Sequence, residues 1–510
     1  MSDHPHTITI VGLGPGDIGL LTLEASDVLN SVDRIYLRTA VHPIVDVLKD
    51  RFPHLEVVSF DEIYESAASF DEVYGEVVAR LMRLVQDQDV TYCVPGSPSV
   101  SEATVNLLRK LATSDHVPVR IVHAISFIEP VLAAAGDVDI GWLSLMDAVE
   151  IDLLVSQNAF GEVPGLPGRL PYRSPVPTAP LLITQMYSTH IAASVKLWLG
   201  SFWHDEHECV VIHSAGTASE KTERVPIYRI DRLDVDHLTS LYVPPLQPTE
   251  DVRTFAGLLN VTRALRAPGG CPWDREQSHD SLKTHLLEET YEVLETLDEH
   301  AYDHLAEELG DLLFQITIHS QIAAEYDEFT IEDVISSITT KLIRRHPHVF
   351  GEISLKTSSA VLQHWESFKQ AEKPTRESIL SGIPEAMPAL PYSYAVQKRV
   401  ANQGFDWPDI GSLLSKVEEE LNELRATLED GEGRQRVLDE LGDLLFVLVS
   451  VGRRLKIDPE EALRRANRKF ANRFRHVERQ VKSSGENMRD LSPEHLDRLW
   501  DEAKTATEQS

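Results

Sequence analysis

Hydrophobic and polar positions follow two different rhythms along this chain. In the first, short apolar runs alternate with amphipathic stretches. ITIVGLG (8–14), RIYL (34–37), VTYCV (90–94), VRIVHA (119–124), LLITQMY (181–187) and CVVIHSA (209–215) have strand length and strand composition, and 71–86 and 101–113 read as helices. Strands alternating with helices imply a parallel sheet built with crossover helices. The Pro- and Gly-rich stretch 161–180 reads as a loop or a link between subdomains. After VPPLQPTE (243–250) the second rhythm begins: apolar residues recur every three to four positions over 281–297, 302–325, 412–429, 434–455 and 459–483, and this part is predicted to be all-α.

The helical part repeats itself. LLEETYEVL (286–294) matches VEEELNELR (417–425), AEELGDLLFQITIH (306–319) matches LDELGDLLFVLVSV (438–451), TKLIRRHPHV (340–349) matches RKFANRFRHV (468–477), and HWESFKQ (364–370) matches LWDEAKT (499–505). Blocks in the same order point to a duplicated helical unit. The chain therefore reads as a multidomain protein: an α/β domain over 1–243, a linker over 244–252, a first helical domain over 253–370, a linker over 371–395 and a second helical domain over 396–510. Pro347 should end the third helix of the first copy, where the second copy runs on.

Carboxylates mark both copies. Glu420 and Glu423 share a helix face at i,i+3, and so do Glu440 and Asp443 on the next helix. A turn near 430–433 would make those helices antiparallel and bring the four carboxylates together. The first copy repeats the set as Glu289, Glu292, Glu308 and Asp311. Glutamates on helices usually form a solvated acidic face. Here, however, they border the apolar run of ELGDLLF, and they do so twice. An acidic group at the edge of an apolar stripe needs a partner. A hard divalent cation, Mg²⁺ with Mn²⁺ as substitute, is the expected one. Lys469 and Arg473, repeated as Lys341 and Arg345, are spaced i,i+4 to grip phosphate oxygens. Trp500 and Lys504 repeat Trp365 and Lys369; the tryptophans suit either base stacking or core packing.

Charge narrows the partners. The net charge is −33, from 48 basic and 81 acidic side chains spread along the whole chain, which argues against nucleic acid as a partner. Free nucleotides remain compatible when a cation bridges carboxylate and phosphate. Three dispersed cysteines, Cys93, Cys209 and Cys271, fit a reducing, cytoplasmic setting. The N-terminus lacks signal-peptide character, and no apolar run suits a membrane span.

EExxE, ExxD and Lys-x₃-Arg, together with GCPWDREQ (270–277), RRHPHVFG (344–351) and NQGFDW (402–407), resemble the MazG family of all-α nucleoside triphosphate pyrophosphohydrolases over about 253–505. The resemblance implies a homodimer-forming helical fold that hydrolyses an NTP to NMP and pyrophosphate with Mg²⁺, in which Glu419 or Glu420, and Glu288 or Glu289 in the first copy, orient or deprotonate water. Carried over, the metal ligands are Glu420, Glu423, Glu440 and Asp443, with Glu289, Glu292, Glu308 and Asp311 in the first copy. The nucleotide contacts are Lys469, Arg473, Trp500 and Lys504, with Lys341, Arg345, Trp365 and Lys369.

VGLGPGD (11–17) closes the first strand with glycines that permit a tight turn and close ligand approach. With VPGSPSVSEATVNLL (94–108), IVHAISFIEPVLAAAG (121–136) and YLRTAVHP (36–43), it resembles the tetrapyrrole methylase family over about 7–235. The resemblance implies a two-lobed α/β fold that binds S-adenosylmethionine through Gly12, Gly14, Gly16, Pro95, Gly96, Ser126 and Met186, with Asp17 facing the substrate cleft. Two departures stand out: Ser97 replaces the acidic residue of the family's PGDP loop, and Ala124-Ile125-Ser126-Phe127 replaces Gly-x-Ser-Ser. The alternatives to a pyrophosphohydrolase with an attached methylase-like domain are a methyltransferase with a helical dimerisation scaffold and a non-catalytic S-adenosylmethionine sensor that tunes hydrolysis.

Overall fold

A computed structural model of the chain describes residues 6–67, 70–100, 102–160, 175–351, 353, 357, 360–361 and 378–508. It forms two compact units, Met1–Ser354 and Leu355–Ser510. The first contains the α/β part and the first helical copy, and the second contains the second copy.

The α/β part has two lobes, each with its own sheet. In the first lobe, β1 (Ile8–Gly12), β2 (Arg34–Leu37), β3 (Glu56–Ser59), β4 (Val90–Val94) and β5 (Val119–Val122) are all parallel, in the order β3-β2-β4-β1-β5. The central strands are largely apolar because helices cover both faces. Ile8, Ile10 and Tyr92 pack toward Val77, Leu81 and Leu108. Val11 and Cys93 pack on the opposite side with Leu29, Ile35 and Leu48.

The second lobe departs from the all-parallel expectation. Its strands β6 (Ser144–Asp147), β7 (Leu181–Thr184), β8 (Glu208–His213), β9 (Lys221–Pro226) and β10 (Thr239–Val243) are ordered β6-β7-β10-β8-β9. Only β6 and β7 run parallel. β8 and β9 form a hairpin, and β10 lies antiparallel between β7 and β8. A short connection such as 214–220 can only return the chain antiparallel. β9 (KTERVP) was not legible as a strand because it is a sheet edge with largely polar, exposed side chains.

β10 ends at Val243, and the next helix, Phe255–Arg266, starts from a Thr254 cap. The first copy then forms helices Lys283–Glu299, Tyr302–Glu325 and Ile331–Arg345. The last of these stops before Pro347, as its missing N–H requires, and a short helix Pro347–Phe350 follows. The second copy forms Ile410–Asp430, Arg434–Leu455, Pro459–Ser484 and Pro493–Glu508. Gly431 (φ 68°) and Gly433 (φ 91°) make the turn between the first two, a backbone conformation that favours glycine. One expectation needs correction: helix Ala389–Ala401 begins inside the stretch read as a linker over 371–395. Pro388 precedes it, and its Gln397 is buried, bonding the Phe446 carbonyl and the Ser450 hydroxyl. Among the described residues no helix is long and apolar enough to cross a membrane.

Candidate functional site

The helix hairpin of the second copy puts acidic residues where core residues belong. On Ile410–Asp430 the buried positions are Leu413, Glu420 and Thr427, spaced seven apart. On Arg434–Leu455 they include Glu440 and, seven further on, Val447. A stripe of that period faces the partner helix, so Glu420 and Glu440 are directed inward by the same periodicity that directs Leu413 and Val447. Asp443, one turn beyond Glu440, remains exposed at the rim. Oxygen atoms of Glu420, Glu440 and Asp443 lie within 4.8 Å of one another.

The ion pairs in this cluster are incomplete. Lys416 Nζ lies 2.8 Å from Glu420 Oε1 and 2.8 Å from Glu419 Oε1. Arg436 Nη2 lies 2.7 Å from Glu440 Oε1. The second oxygens, Glu420 Oε2 and Glu440 Oε2, are buried and have no hydrogen-bond partner among the described residues. Burial pushes the Glu440 carboxyl above the usual range; Arg436 opposes this, and Glu423, Asp443 and Glu420 add to it. Glu423 is thus close enough to act on the cluster, although its own side chain is exposed. Buried acceptors without donors carry a desolvation cost that a cation would remove. The donor set, all carboxylate oxygen, suits Mg²⁺ or Mn²⁺.

The first copy reproduces the arrangement in a more open form. Leu282, Glu289 and Thr296 repeat the stripe, and Glu289, Glu308 and Asp311 place oxygens within 4.8 Å of one another. Burial raises the Glu289 carboxyl, helped by Asp311, Glu292 and Glu308. Glu308 is raised by burial and then by Glu292, Glu307 and Asp311. Glu288 stays exposed, with His285 Nδ1 at 3.1 Å, and Glu419 is likewise exposed.

The basic and aromatic residues are placed differently. Lys469 and Arg473 line an open groove along Pro459–Ser484 with Arg465 and Arg468, and none of the clustered carboxylates lines it. Lys341 and Arg345 share a face near the end of Ile331–Arg345. Trp500 packs against the buried Val477, Val481 and Ala503, with its ring 5.0 Å from that of Phe470. Lys504 pairs with Asp501 at 2.8 Å. Trp365 and Lys369 lie outside the described residues.

In the α/β part, a cavity of about 230 Å³ is lined by both lobes. Pro15, Pro95, Gly96, Ser97 and Phe127 border it, from the loops after β1, β4 and β5. In open α/β sheets, ligands sit beyond the carboxyl ends of such strands. Gly12, Gly14 and Gly16 do not line the cavity; they hold its walls together. A Cβ on Gly12 would meet Ala124 Cβ and Pro98 Cδ at 2.6 Å. Gly14 and Gly96 exchange backbone hydrogen bonds of 3.1 and 2.8 Å. Asp17 is absent from the cavity lining, and its Oδ1 accepts from Gly19 N at 2.7 Å. Ser126 bonds Glu129 and accepts from Ile128 N at 3.1 Å. The Met186 side chain is fully buried in the second-lobe core.

Several cavity residues escaped the sequence reading: Arg38, His42, Glu102, Gln185 and His237. Arg38 pairs with the buried Glu102 at 2.6 Å and donates to Tyr64 Oη at 2.9 Å. Burial lowers the Glu102 carboxyl's readiness to ionise, and its Oε1 has no hydrogen-bond partner among the described residues. Burial holds His42 down at about 4, beside His237 and Arg38. Gln185 adopts φ 62°, a left-handed conformation uncommon outside glycine, and donates to Asp147 at 2.8 Å. The available signal was YLRTAVHP, which contains Arg38 and His42. For the helical site it was the basic residue four places before Glu420 and before Glu440.

Comparison with known proteins agrees with this division. The model of tetrapyrrole (corrin/porphyrin) methylases matches residues 7–231, and that of the MazG nucleotide pyrophosphohydrolase domain matches 277–350 and 409–478. The MazG nucleoside triphosphate pyrophosphohydrolase/pyrophosphatase of Thermotoga maritima is 43% identical over 255 residues, which are 50% of this chain and 97% of that protein. The nucleoside triphosphate pyrophosphohydrolase of Escherichia coli K12 is 43% identical over 256 residues, 48% of this chain and 95% of that protein. YabN of Bacillus subtilis (strain 168) is 37% identical over 508 residues, 99% of each chain. With one relative matched from end to end and both helical copies matched separately, the chain belongs to the YabN family, in which a tetrapyrrole methylase domain precedes duplicated MazG domains.

Proposed function

We propose that the helical part is a Mg²⁺-dependent nucleoside triphosphate pyrophosphohydrolase, with Mn²⁺ as substitute, converting NTP and water to NMP and pyrophosphate. The observation that carries this reading is the pair of buried, unpartnered oxygens on Glu420 and Glu440, beside Asp443. The names of the Thermotoga maritima and Escherichia coli relatives give the activity class. Glu420, Glu440 and Asp443, with Glu423 alongside, would hold the cation; Glu289, Glu308 and Asp311, with Glu292, would do so in the first copy. A bound divalent cation would withdraw charge from the phosphates and lessen their repulsion of a nucleophile. Glu419 and Glu288 stand one residue outside the clusters with exposed carboxylates, suited to orienting the attacking water. Lys469 and Arg473, and Lys341 with Arg345, supply guanidinium and ammonium groups for phosphate oxygens. Incubation with an NTP and Mg²⁺, followed by product analysis, tests the reading: NMP and pyrophosphate are expected, and NDP with phosphate would overturn it.

The enzyme acts as a homodimer and in the cytoplasm in this reading. Leu414, Leu421 and Leu428 form an exposed stripe at seven-residue spacing, and Leu438, Leu441, Leu445 and Leu448 expose a second one. A second copy of the chain would cover them. The α/β part binds S-adenosylmethionine in the cavity bordered by Pro15, Pro95, Gly96 and Phe127. Ser97, which lines that cavity where the family pattern has a carboxylate, favours a second reading for this domain, binding without methyl transfer to a tetrapyrrole. Calorimetry with S-adenosylmethionine and a search for S-adenosylhomocysteine among the products separate binding from transfer.

A further inference from the structure

We propose that Lys416 and Arg436 are positioning residues for the second carboxylate cluster, each holding one oxygen of a buried glutamate so that the other is presented to the cation. The inference rests on the reading of that cluster as a metal site.

Lys416 is four residues before Glu420, and Arg436 is four residues before Glu440. At i,i+4 each cation lies on its glutamate's own helix face, so neither pairing depends on how the two helices approach. In both glutamates the cation takes Oε1, at 2.8 and 2.7 Å, and Oε2 is left buried and unpartnered. The terminal torsion of a glutamate is broad, so an unanchored carboxylate would turn freely. Anchoring one oxygen fixes the direction of the other, as hydrogen bonds to metal-ligating carboxylates do elsewhere.

Charge alone argues the other way. A resident cation beside the cluster competes with Mg²⁺, so removing it should tighten metal binding. The Arg436 side chain, however, is 56% exposed, while the Glu440 side chain is 3% exposed. Water screens the exposed guanidinium, whereas the buried carboxylate has no other donor for Oε1 among the described residues. Orientation is therefore the larger effect.

The first copy lacks this device. Aligning the repeats puts His285 where Lys416 stands and His304 where Arg436 stands. His285 bonds Glu288 rather than Glu289, and neither Glu289 nor Glu308 has a buried, unpartnered oxygen.

The test uses the full chain in an Asp311→Ala background, which removes a ligand of the first cluster, and follows Mn²⁺ binding by electron paramagnetic resonance. Lys416→Met and Arg436→Met should each weaken Mn²⁺ binding about 10-fold. Lys416→Arg, which keeps a donor at the same place, should stay within about 3-fold of the background. Metal-free melting temperatures report folding, and a variant that melts early is replaced by the Lys416→Arg comparison with Lys416→Gln. Unchanged or tighter Mn²⁺ binding in both Met variants overturns the positioning role. Asp443→Ala in the same background distinguishes the two failures. If it too leaves Mn²⁺ binding unchanged, or if the background binds none, the metal-site reading itself fails.

Discussion

Glu440→Gln is the substitution whose consequences the structure defines most sharply. It keeps the side-chain shape and removes one charge from a cluster in which Glu420, Glu440 and Asp443 oxygens lie within 4.8 Å of one another. Two unit charges at that separation repel by roughly 3.5 kcal/mol at an effective dielectric of about 20. Burial, with Glu423, Asp443 and Glu420 beside it, already pushes the Glu440 carboxyl above its usual range, so its charge is disfavoured there. Against the gain stands the ion pair with Arg436, whose guanidinium is half-exposed and also lies 3.6 Å from Glu432, so it is not stranded. That loss is about 1 kcal/mol. The metal-free variant should therefore fold and be more stable by about 1 kcal/mol, or about 2–4 °C for a unit of this size. Mg²⁺ should then do less for it. At 100 times the wild-type Kd, the cation stabilises the wild-type protein by about 2.7 kcal/mol; a tenfold weaker site retains about 1.4 and a hundredfold weaker one about 0.4. Thermal unfolding followed by the helical circular dichroism signal, across a Mg²⁺ titration, reads both quantities. A variant with the full wild-type Mg²⁺ response would refute the assignment of Glu440 as a ligand. A metal-free variant destabilised by several kcal/mol would show that the carboxylate is there for the fold.

Asp311→Ala and Asp443→Ala divide the activity between the copies: each should retain about half the turnover if both sites work, with a loss of at least about 10-fold at the mutated site. A single variant that is nearly inactive would instead assign catalysis to its copy. Gly12→Ala should push apart the loops that carry Ala124 and Pro98, which a Cβ would meet at 2.6 Å, at a cost of about 1–3 kcal/mol. Calorimetric binding of S-adenosylmethionine should vanish while NTP turnover stays within a few-fold; unchanged binding would separate these loops from the cofactor. His42 is held at about 4 by burial, so the unfolded chain binds more protons than the folded one between about 4 and 6.5. Its contribution to stability is complete above that window and falls as pH drops through it. Hydrogen exchange of the β4 amides should quicken accordingly, and His42→Gln should flatten the dependence.

The two rhythms of the sequence carried the fold class because they reflect burial. β1 and β4 are almost entirely apolar since both faces are covered, and the first helix of the second-copy hairpin keeps a seven-residue stripe from Leu413 to Thr427. The mixed second sheet was less legible. β6 is short, β6 and β9 are both partly exposed, and pairing direction depends on connections that hydropathy does not encode. The carboxylate clusters were legible through i,i+3 spacing and duplication. Their counter-ions Lys416 and Arg436 were not read, because surface Lys–Glu pairs at i,i+4 are common on any helix and only burial reveals that these glutamates are inside. The glycine loop was read as a ligand contact, whereas the structure uses Gly12 and Gly14 to bring two loops together. Glycine permits close approach in either case, and the sequence does not show what approaches. Arg38 and His42 share the loop after β2, whereas Glu102 follows β4, and the three line one cavity only in the folded chain.

Hydrolysis of NTPs between the α- and β-phosphates by the duplicated carboxylate clusters, with a divalent cation, has one decisive signature: its products and their metal dependence. Product analysis of the wild-type chain and of Asp311→Ala/Asp443→Ala, each incubated with an NTP and Mg²⁺, tests it most directly. The wild-type protein should release NMP and pyrophosphate in equal amounts, only when Mg²⁺ or Mn²⁺ is present, and the double variant should release neither. NDP and phosphate as products, or a double variant that turns over like the wild type, would contradict it.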